Sequence, residues 1–317
     1  MRFHLDFQPK KSPHSIQHQE EILFLGSCFS EHIAHKLEQL HFSVNTNAFG
    51  IVFNPISIEK ILHRIINNFF FNENDVFEKN SLWYCLEAHS AIFGTTKNEL
   101  IEKLNNIINH WHLKLKNAEW LFITMGSAYG YENIEQKKIV ANCHKLPQNN
   151  FEKKLLSTET ITDAYSKLIK DIHQFNPQLK IIFTVSPVKH LRDGVIENSL
   201  SKATLISAVH KLTQSNSSCF YFPAYELVTD DLRDYRFYKE DMAHPNQQAI
   251  DYVWQKFSEC YFTSETNQLN KQLHEINLAK THKPLQPDSL AFLEFKKNHE
   301  QQCETLMLQY PWLKLKV

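Results

Sequence analysis

The chain has 317 residues, 42% of them hydrophobic and 22% charged, with 34 Lys and Arg set against 35 Asp and Glu. That length buries a sizeable core as one large domain or as a domain with an appendage. The charge balance excludes the basic field that would gather nucleic acid or anionic membrane. No segment reaches the run of about 20 apolar residues that a membrane span needs, and none of signal length follows Met1. The six cysteines (Cys28, Cys85, Cys143, Cys219, Cys260, Cys303) show neither C-x-x-C nor zinc spacing. A soluble, cytoplasmic protein with reduced thiols is therefore expected.

Residues 1–20 are polar, contain Pro9 and Pro13, and read as an extended lead-in. A main domain is expected over 21–263. It opens on an apolar strand, Ile22–Leu25, that stops at Gly26; Ser27 and Cys28 follow. From there Phe29, Ile33, Leu37 and Leu40 recur at helical spacing, with polar residues between them. A strand turning sharply into a helix puts Ser27 and Cys28 where backbone N–H groups are unpaired and negative charge is favoured. The same field favours a thiolate at Cys28. The plainer alternative is that Ser27 or Ser30 caps the helix and Cys28 fills a small gap.

Phe42–Val44 reads as a short second strand leading to Gly50, and Pro55 opens a helix through Ile66. Ser81–Phe93 is aromatic-rich and fits a hairpin or an insertion over one face. Next come a helix from Lys97, a strand Trp120–Thr124 ending at Gly126, and a helix Thr160–Phe175. A strand Lys180–Val185, a helix Glu197–Leu212 and a strand Ser218–Phe222 continue the alternation. Continuous apolar strands separated by helices predict an α/β three-layer sandwich around a mostly parallel sheet. Ligands of such sheets bind beyond the carboxyl ends of the strands. Gly26–Cys28, Gly126-Ser127, Ser186–His190 and, later, Asp241–His244 all fall there. His190, Arg192 and Arg233 are candidates for an anionic substrate group, with structural ion pairs as the alternative for the arginines. An Asp and a His three apart just before a helix can serve one nucleophile as orienting group and base. Beyond Phe257 the composition changes. Residues 264–317 are expected to form a helical extension, broken at Pro284–Pro287, that packs on the domain or makes a homodimer contact.

Phe24-Leu25-Gly26-Ser27-Cys28-Phe29-Ser30 resembles the signature of the GSCFA family. Ile123–Ala128, Val140–Lys145, Thr184–His190, Ser201-Lys202 and Leu232–Tyr238 agree with it. That family is similar to the SGNH (GDSL-like) hydrolases, whose flavodoxin-like α/β fold carries a Ser-His-Asp constellation for ester hydrolysis and acyl transfer. The resemblance places Cys28 at the nucleophile, with Ser27 as rival, His244 as base and Asp241 as its orienting group. It assigns oxyanion donors to the N–H groups of Cys28 and Gly50. An asparagine normally follows the glycine of the third long strand, but Ala128 stands there. Ser127, Asn142 or His144 would have to substitute, or the hole is weak; the alternative for Asn142 and His144 is to hold a loop together.

The resemblance implies an esterase or O-acyltransferase acting on a small or carbohydrate-linked ester, with no cofactor. A hydrolase fold kept only as a binding module is the other reading. Glu31-His32-Ile33-Ala34-His35 lacks the i, i+4 histidines of a zinc helix and reads as a solvated helix face, so no metal is expected.

Overall fold

The computed structural model describes residue 5, residues 7–281 and residues 289–315. In chain order it begins β1 (Glu21–Gly26), α1 (Cys28–Gln39), β2 (Ser43–Thr46), α2 (Pro55–Asn67), β3 (Val76–Lys79), β4 (Leu82–Cys85) and α3 (Lys97–Asn117). There follow β5 (Trp120–Met125), β6 (Tyr129–Asn133), β7 (Lys138–Val140), β8 (Phe151–Leu155), α4 (Thr158–Phe175), β9 (Lys180–Val185), α5 (Val195–Ser215) and β10 (Cys219–Tyr221). The chain closes with α6 (Ala224–Glu226), α7 (Gln247–Tyr261), α8 (Ser264–Thr281) and α9 (Leu290–Gln309).

Five strands form one parallel sheet in the order β10-β9-β5-β1-β2. The apolar runs are continuous because both faces are covered. Leu23, Leu25, Leu121, Ile123, Ile181 and Phe183 face a core completed by α2, α3, α4 and α5. Their neighbours Ile22, Phe24, Trp120, Phe122 and Ile182 face a second core with α1, α7, α8 and α9. The chain runs outward from β1 to β2, then returns to β5 and proceeds to β9 and β10. The reversal lies between β1 and β5, which is where a doubly wound sheet opens a crevice at its carboxyl edge.

Helix starts follow their caps: the Asn54 side chain accepts from Ser57 N (2.9 Å), and Asn246 from Ala249 N (3.1 Å). The aromatic-rich segment resolves into the antiparallel β3–β4 hairpin and a loop reaching α3. A second antiparallel sheet, β7-β6-β8, stands between β5 and α4 and was not anticipated. The expected break at Pro284–Pro287 lies outside the described residues. The first segment is laid along the end of α7, where Ser12 N donates to Cys260 O (3.0 Å) and Ile16 N to Tyr261 O (2.8 Å). Among the described residues no helix is long and apolar enough to cross a membrane.

Candidate active site

The turn between β1 and α1 is held from three sides. Gly26 adopts φ +132°, and its N–H donates to Asn47 Oδ1 (2.9 Å) while Ser27 N donates to Thr124 O (3.0 Å). Asn47, itself at φ +46°, turns its amide nitrogen to Glu31 Oε1 (2.7 Å), so one side chain ties the end of β1 to the first turn of α1. Ser27 is the N-cap of α1 and is buried; its hydroxyl pairs with Ser186 Oγ (2.9 Å) at the end of β9. Cys28, the first helical residue, keeps part of its surface open. Of the two candidate nucleophiles, then, Ser27 is buried and Cys28, packed against the second core, is partly open. Asn47→Ala leaves the buried Gly26 N–H without its acceptor and is expected to cost about 1–3 kcal/mol. Urea unfolding measures this, and a loss under about 0.5 kcal/mol would remove Asn47 from the support of the turn.

Asp241 and His244 meet as their spacing predicts, with His244 Nδ1 2.6 Å from Asp241 Oδ2. The other carboxylate oxygen accepts the backbone N–H groups of Ala243 and His244, each at 2.9 Å. Those two amides, and then the His244 ring, pull the Asp241 carboxyl down to about 2. The loop carrying the pair is closed by the Tyr238–Pro245 bridge and by Lys239 N donating to His244 O (2.7 Å). It is docked on the β9 loop through Lys189 N and Ala243 O (3.0 Å), and the Lys189 ammonium sits over the rings of Tyr235 and Tyr238.

Charge couplings put these parts in one neighbourhood. Lys239 acts on both Cys28 and His32, and His244 acts on His32 and His190. Among the described residues no hydrogen bond joins Cys28 to His244. Burial pushes the Cys28 thiol up, and the nearby Glu31 carboxylate adds to the rise. The Ser27 hydroxyl, the N–H of Cys28 itself and Lys239 oppose it with smaller effect. The helix terminus alone would have favoured a thiolate; desolvation outweighs it in the resting chain.

The remaining predicted residues divide. Gly50 N–H donates to Asn47 O (2.8 Å) and closes a turn, so it is not a spare oxyanion donor. Gly126 N donates to Phe53 O (2.8 Å), and a side chain there would meet the Phe53 ring. Ser127 is buried, accepts from Tyr129 N (3.1 Å) and contacts Ser201 Oγ (3.2 Å); Ala128 N donates to that same hydroxyl (2.8 Å). Neither supplies the missing amide. Asn142 accepts from His144 N (2.7 Å), and His144 Nε2 lies 2.7 Å from Cys85 O beside Phe77 and Tyr84. That pair locks a loop to the β3–β4 hairpin. His190 stacks on Phe53, and burial pushes it down to about 4, leaving it neutral. Arg192 and Arg233 are exposed, and among the described residues neither makes an ion pair. No group of three or more His, Cys, Asp or Glu converges as a metal site among the described residues.

Sequence reading placed Ser186 at this edge and Lys202 within a family-like segment, but gave a role to neither of them nor to Asn47. Lys202 is 1% exposed on α5 and donates to Gly126 O (2.6 Å) and Ser186 O (2.7 Å). A lysine on a helix reads as solvated, and nothing in the sequence marks carbonyls as its partners.

The model of the GSCFA family matches residues 21–257. No curated protein matches the chain in sequence. Among solved structures it is similar to a carbohydrate esterase family 3 from Talaromyces cellulolyticus, at 9% identity over 80% of this chain and 99% of that one, with TM-score 0.37. It is similar also to the Clostridium thermocellum family 3 carbohydrate esterase, at 10% identity over 80% and 98% of the two chains, with TM-score 0.36. A third is the periplasmic domain of a lipopolysaccharide acetyltransferase from Salmonella ser. Paratyphi A, at 13% identity over 77% and 85%, with TM-score 0.34.

Proposed function

Because the chain belongs to the GSCFA family, we propose that it transfers acyl groups from esters, to water or to an alcohol, through Cys28, His244 and Asp241. The observation that carries this is the Asp241–His244 couple, fixed by two backbone amides, on the same rim as a turn that buries Ser27 and opens Cys28. The Cys28 sulfur attacks the ester carbonyl carbon as its proton passes to His244 Nε2. The carbon–oxygen bond then breaks, and the alcohol leaves with that proton, giving a thioester. Water or an acceptor alcohol gives its proton to His244, takes the acyl group and restores the thiol. Asp241 holds Nδ1–H throughout and stabilises the imidazolium. With Gly50 committed to Asn47, the N–H of Cys28 is the oxyanion donor this reading assigns. A thiol raised at rest suits a nucleophile deprotonated by its base as it attacks, rather than a standing ion pair.

The substrate class assigned is an ester of a small or carbohydrate-linked acyl group. Six free cysteines support a cytoplasmic setting. The unit boundaries proposed are 1–20, 21–263 and 264–317, with the C-terminal helices as a homodimer contact. One observation favours a binding module instead. The segment that should complete the oxyanion hole is sealed, with Ala128 fully buried and its N–H taken by Ser201.

Incubation with p-nitrophenyl acetate, acid quench and peptide mass mapping separates these readings. One acetyl group on the Cys28 peptide, absent from Cys28→Ala, is expected. Acetyl on Ser27 would transfer the role to that hydroxyl, and no adduct with no nitrophenol release would leave the binding module.

A further inference from the structure

Resting on that reading, we propose that Lys189 is a positioning residue for His244. Its ammonium clasps the rings of Tyr235 and Tyr238 and so fixes the loop that carries His244 against the strand end beside Cys28. The two halves of the proposed couple lie more than 200 positions apart in the chain, and the end of β9 touches both. Ser186, the first residue past β9, holds Ser27 through the 2.9 Å hydroxyl contact, and Ser27 Oγ lies 3.9 Å from the Cys28 sulfur. Three residues on, Lys189 N donates to Ala243 O (3.0 Å). The Lys189 ammonium lies 4.0 Å from the centre of the Tyr235 ring and 4.3 Å from that of Tyr238.

The strand end is firm up to this clasp. Ser186 N donates to Met125 O (2.8 Å), Val188 N donates to Ser186 Oγ (3.2 Å), and the Val188 side chain is buried in the second core. On the other side His190 N donates to Asn198 Oδ1 (2.9 Å) in the first turn of α5. Lys189 is thus a fixed stem reaching toward a softer partner. Among the described residues, the other main-chain hydrogen bonds of 235–245 stay within 234–246, as in Met242 N to Lys239 O and Asn246 N to Phe237 O, both 2.9 Å. Asp241 and His244 likewise bond to each other and to the loop's own amides. Those bonds give the loop its shape but not its place. Its place depends on contacts with the body of the domain, and Lys189 supplies two: the carbonyl of Ala243 and the pair of rings. The rings hold the ammonium through their quadrupoles, an attraction that a neutral side chain lacks.

Two such contacts amount to about a tenfold shift in the equilibrium between docked and open loop. Deuterium exchange of a peptide spanning 236–246 reads that shift without any substrate, with a peptide from α7 as internal reference. In Lys189→Ala the loop peptide is expected to exchange about tenfold faster while α7 stays unchanged. Lys189 is only half-buried, so the variant opens no cavity. Lys189→Arg returns a cation to the rings and is expected to stay within about threefold of wild type. With p-nitrophenyl acetate, kcat is expected to fall about tenfold in the alanine variant and to recover with arginine, because a base displaced by a fraction of an ångström is costly. KM is expected to stay within about twofold, since the clasp does not touch the ester.

Unchanged loop exchange in Lys189→Ala overturns the proposal, as does an arginine variant that behaves like alanine. A rise in KM at constant kcat overturns it too, by making Lys189 a substrate contact. Should Lys189→Ala not fold, Tyr235→Leu removes one ring of the clasp at a position 56% exposed. About threefold faster loop exchange is then expected, and an unmoved rate overturns the clasp. Absence of any esterase activity in the wild type refutes the acyl-transfer reading alone, whereas normal turnover with unmoved exchange in the alanine variant refutes the Lys189 role alone.

Discussion

Exchanging His244 for alanine is expected to lower acyl-ester turnover by about 10²- to 10⁴-fold while the chain stays folded. The ring is 44% exposed, so its removal opens no cavity, and Asp241 keeps both backbone amides. What the proposed mechanism loses is the acceptor for the Cys28 proton and the donor to the leaving alkoxide. Initial rates with p-nitrophenyl acetate beside a thermal melt decide the matter, and a variant within about threefold of wild type would dismiss His244 as the base. The acid limb of the rate profile will not belong to Asp241. Its folded value near 2 lies below the ordinary 3.8. The stability it gives its loop is therefore complete above 3.8 and is lost only as pH falls toward 2.

Gly26→Ala is expected to destabilise the chain strongly. At φ +132° a side chain is strained in open space, and here the added Cβ would also lie 2.8 Å from the Thr124 carbonyl carbon and nearer still to its oxygen. That carbonyl cannot retreat, because it already accepts Ser27 N and belongs to the central strand β5. Strain of about 1–3 kcal/mol and overpacking of about the same size together remove a large part of a typical stability of about 5–15 kcal/mol. A fall in melting temperature on the order of 10 °C follows for a chain of this size. Gly130→Ala is the control: its Cβ would meet only the Ile139 side chain, at 3.0 Å. A Gly26→Ala protein melting within about 2 °C of wild type would show that the turn can be rebuilt.

The parallel sheet was legible because its central strands β1, β5 and β9 are apolar on both faces, which no half-exposed strand would be. Ile181-Ile182-Phe183 alternates between two cores and needs no polar side. The β7-β6-β8 sheet was not legible for the opposite reason. Glu132, Glu152 and Lys154 crowd one small surface, Lys154 pairing with Glu132 across the strands and with Glu152 along its own, so the segment reads as a solvated loop. At the site, spacing along the chain was enough for Asp241 and His244, whose contact is local. It was not enough for Gly50, whose N–H is consumed by Asn47 only three residues back, nor for Lys202, whose partners lie on two distant strands. The resting state of Cys28 depended on a balance between helix terminus and desolvation, and only burial in the folded chain decides it.

The path of the first segment has a consequence for how the protein is made. Ser12 and Ile16 bond to the last residues of α7, and His244 sits on the loop just before that helix, more than 200 positions after Cys28. On a ribosome delivering about 5–20 residues per second, the strand and helix that flank Cys28 emerge early. They can pair with β2 and β5, yet the leading segment has no surface to lie on and the thiol lacks the base that the proposed mechanism gives it. Both deficits end together when α7 clears the exit tunnel and docks. Such non-local closure is slow to form. On the proposed mechanism it also makes the chain a self-timed device: half-made copies carry a cysteine without its partner, and chemistry would begin only once the first and last parts of the main unit have met.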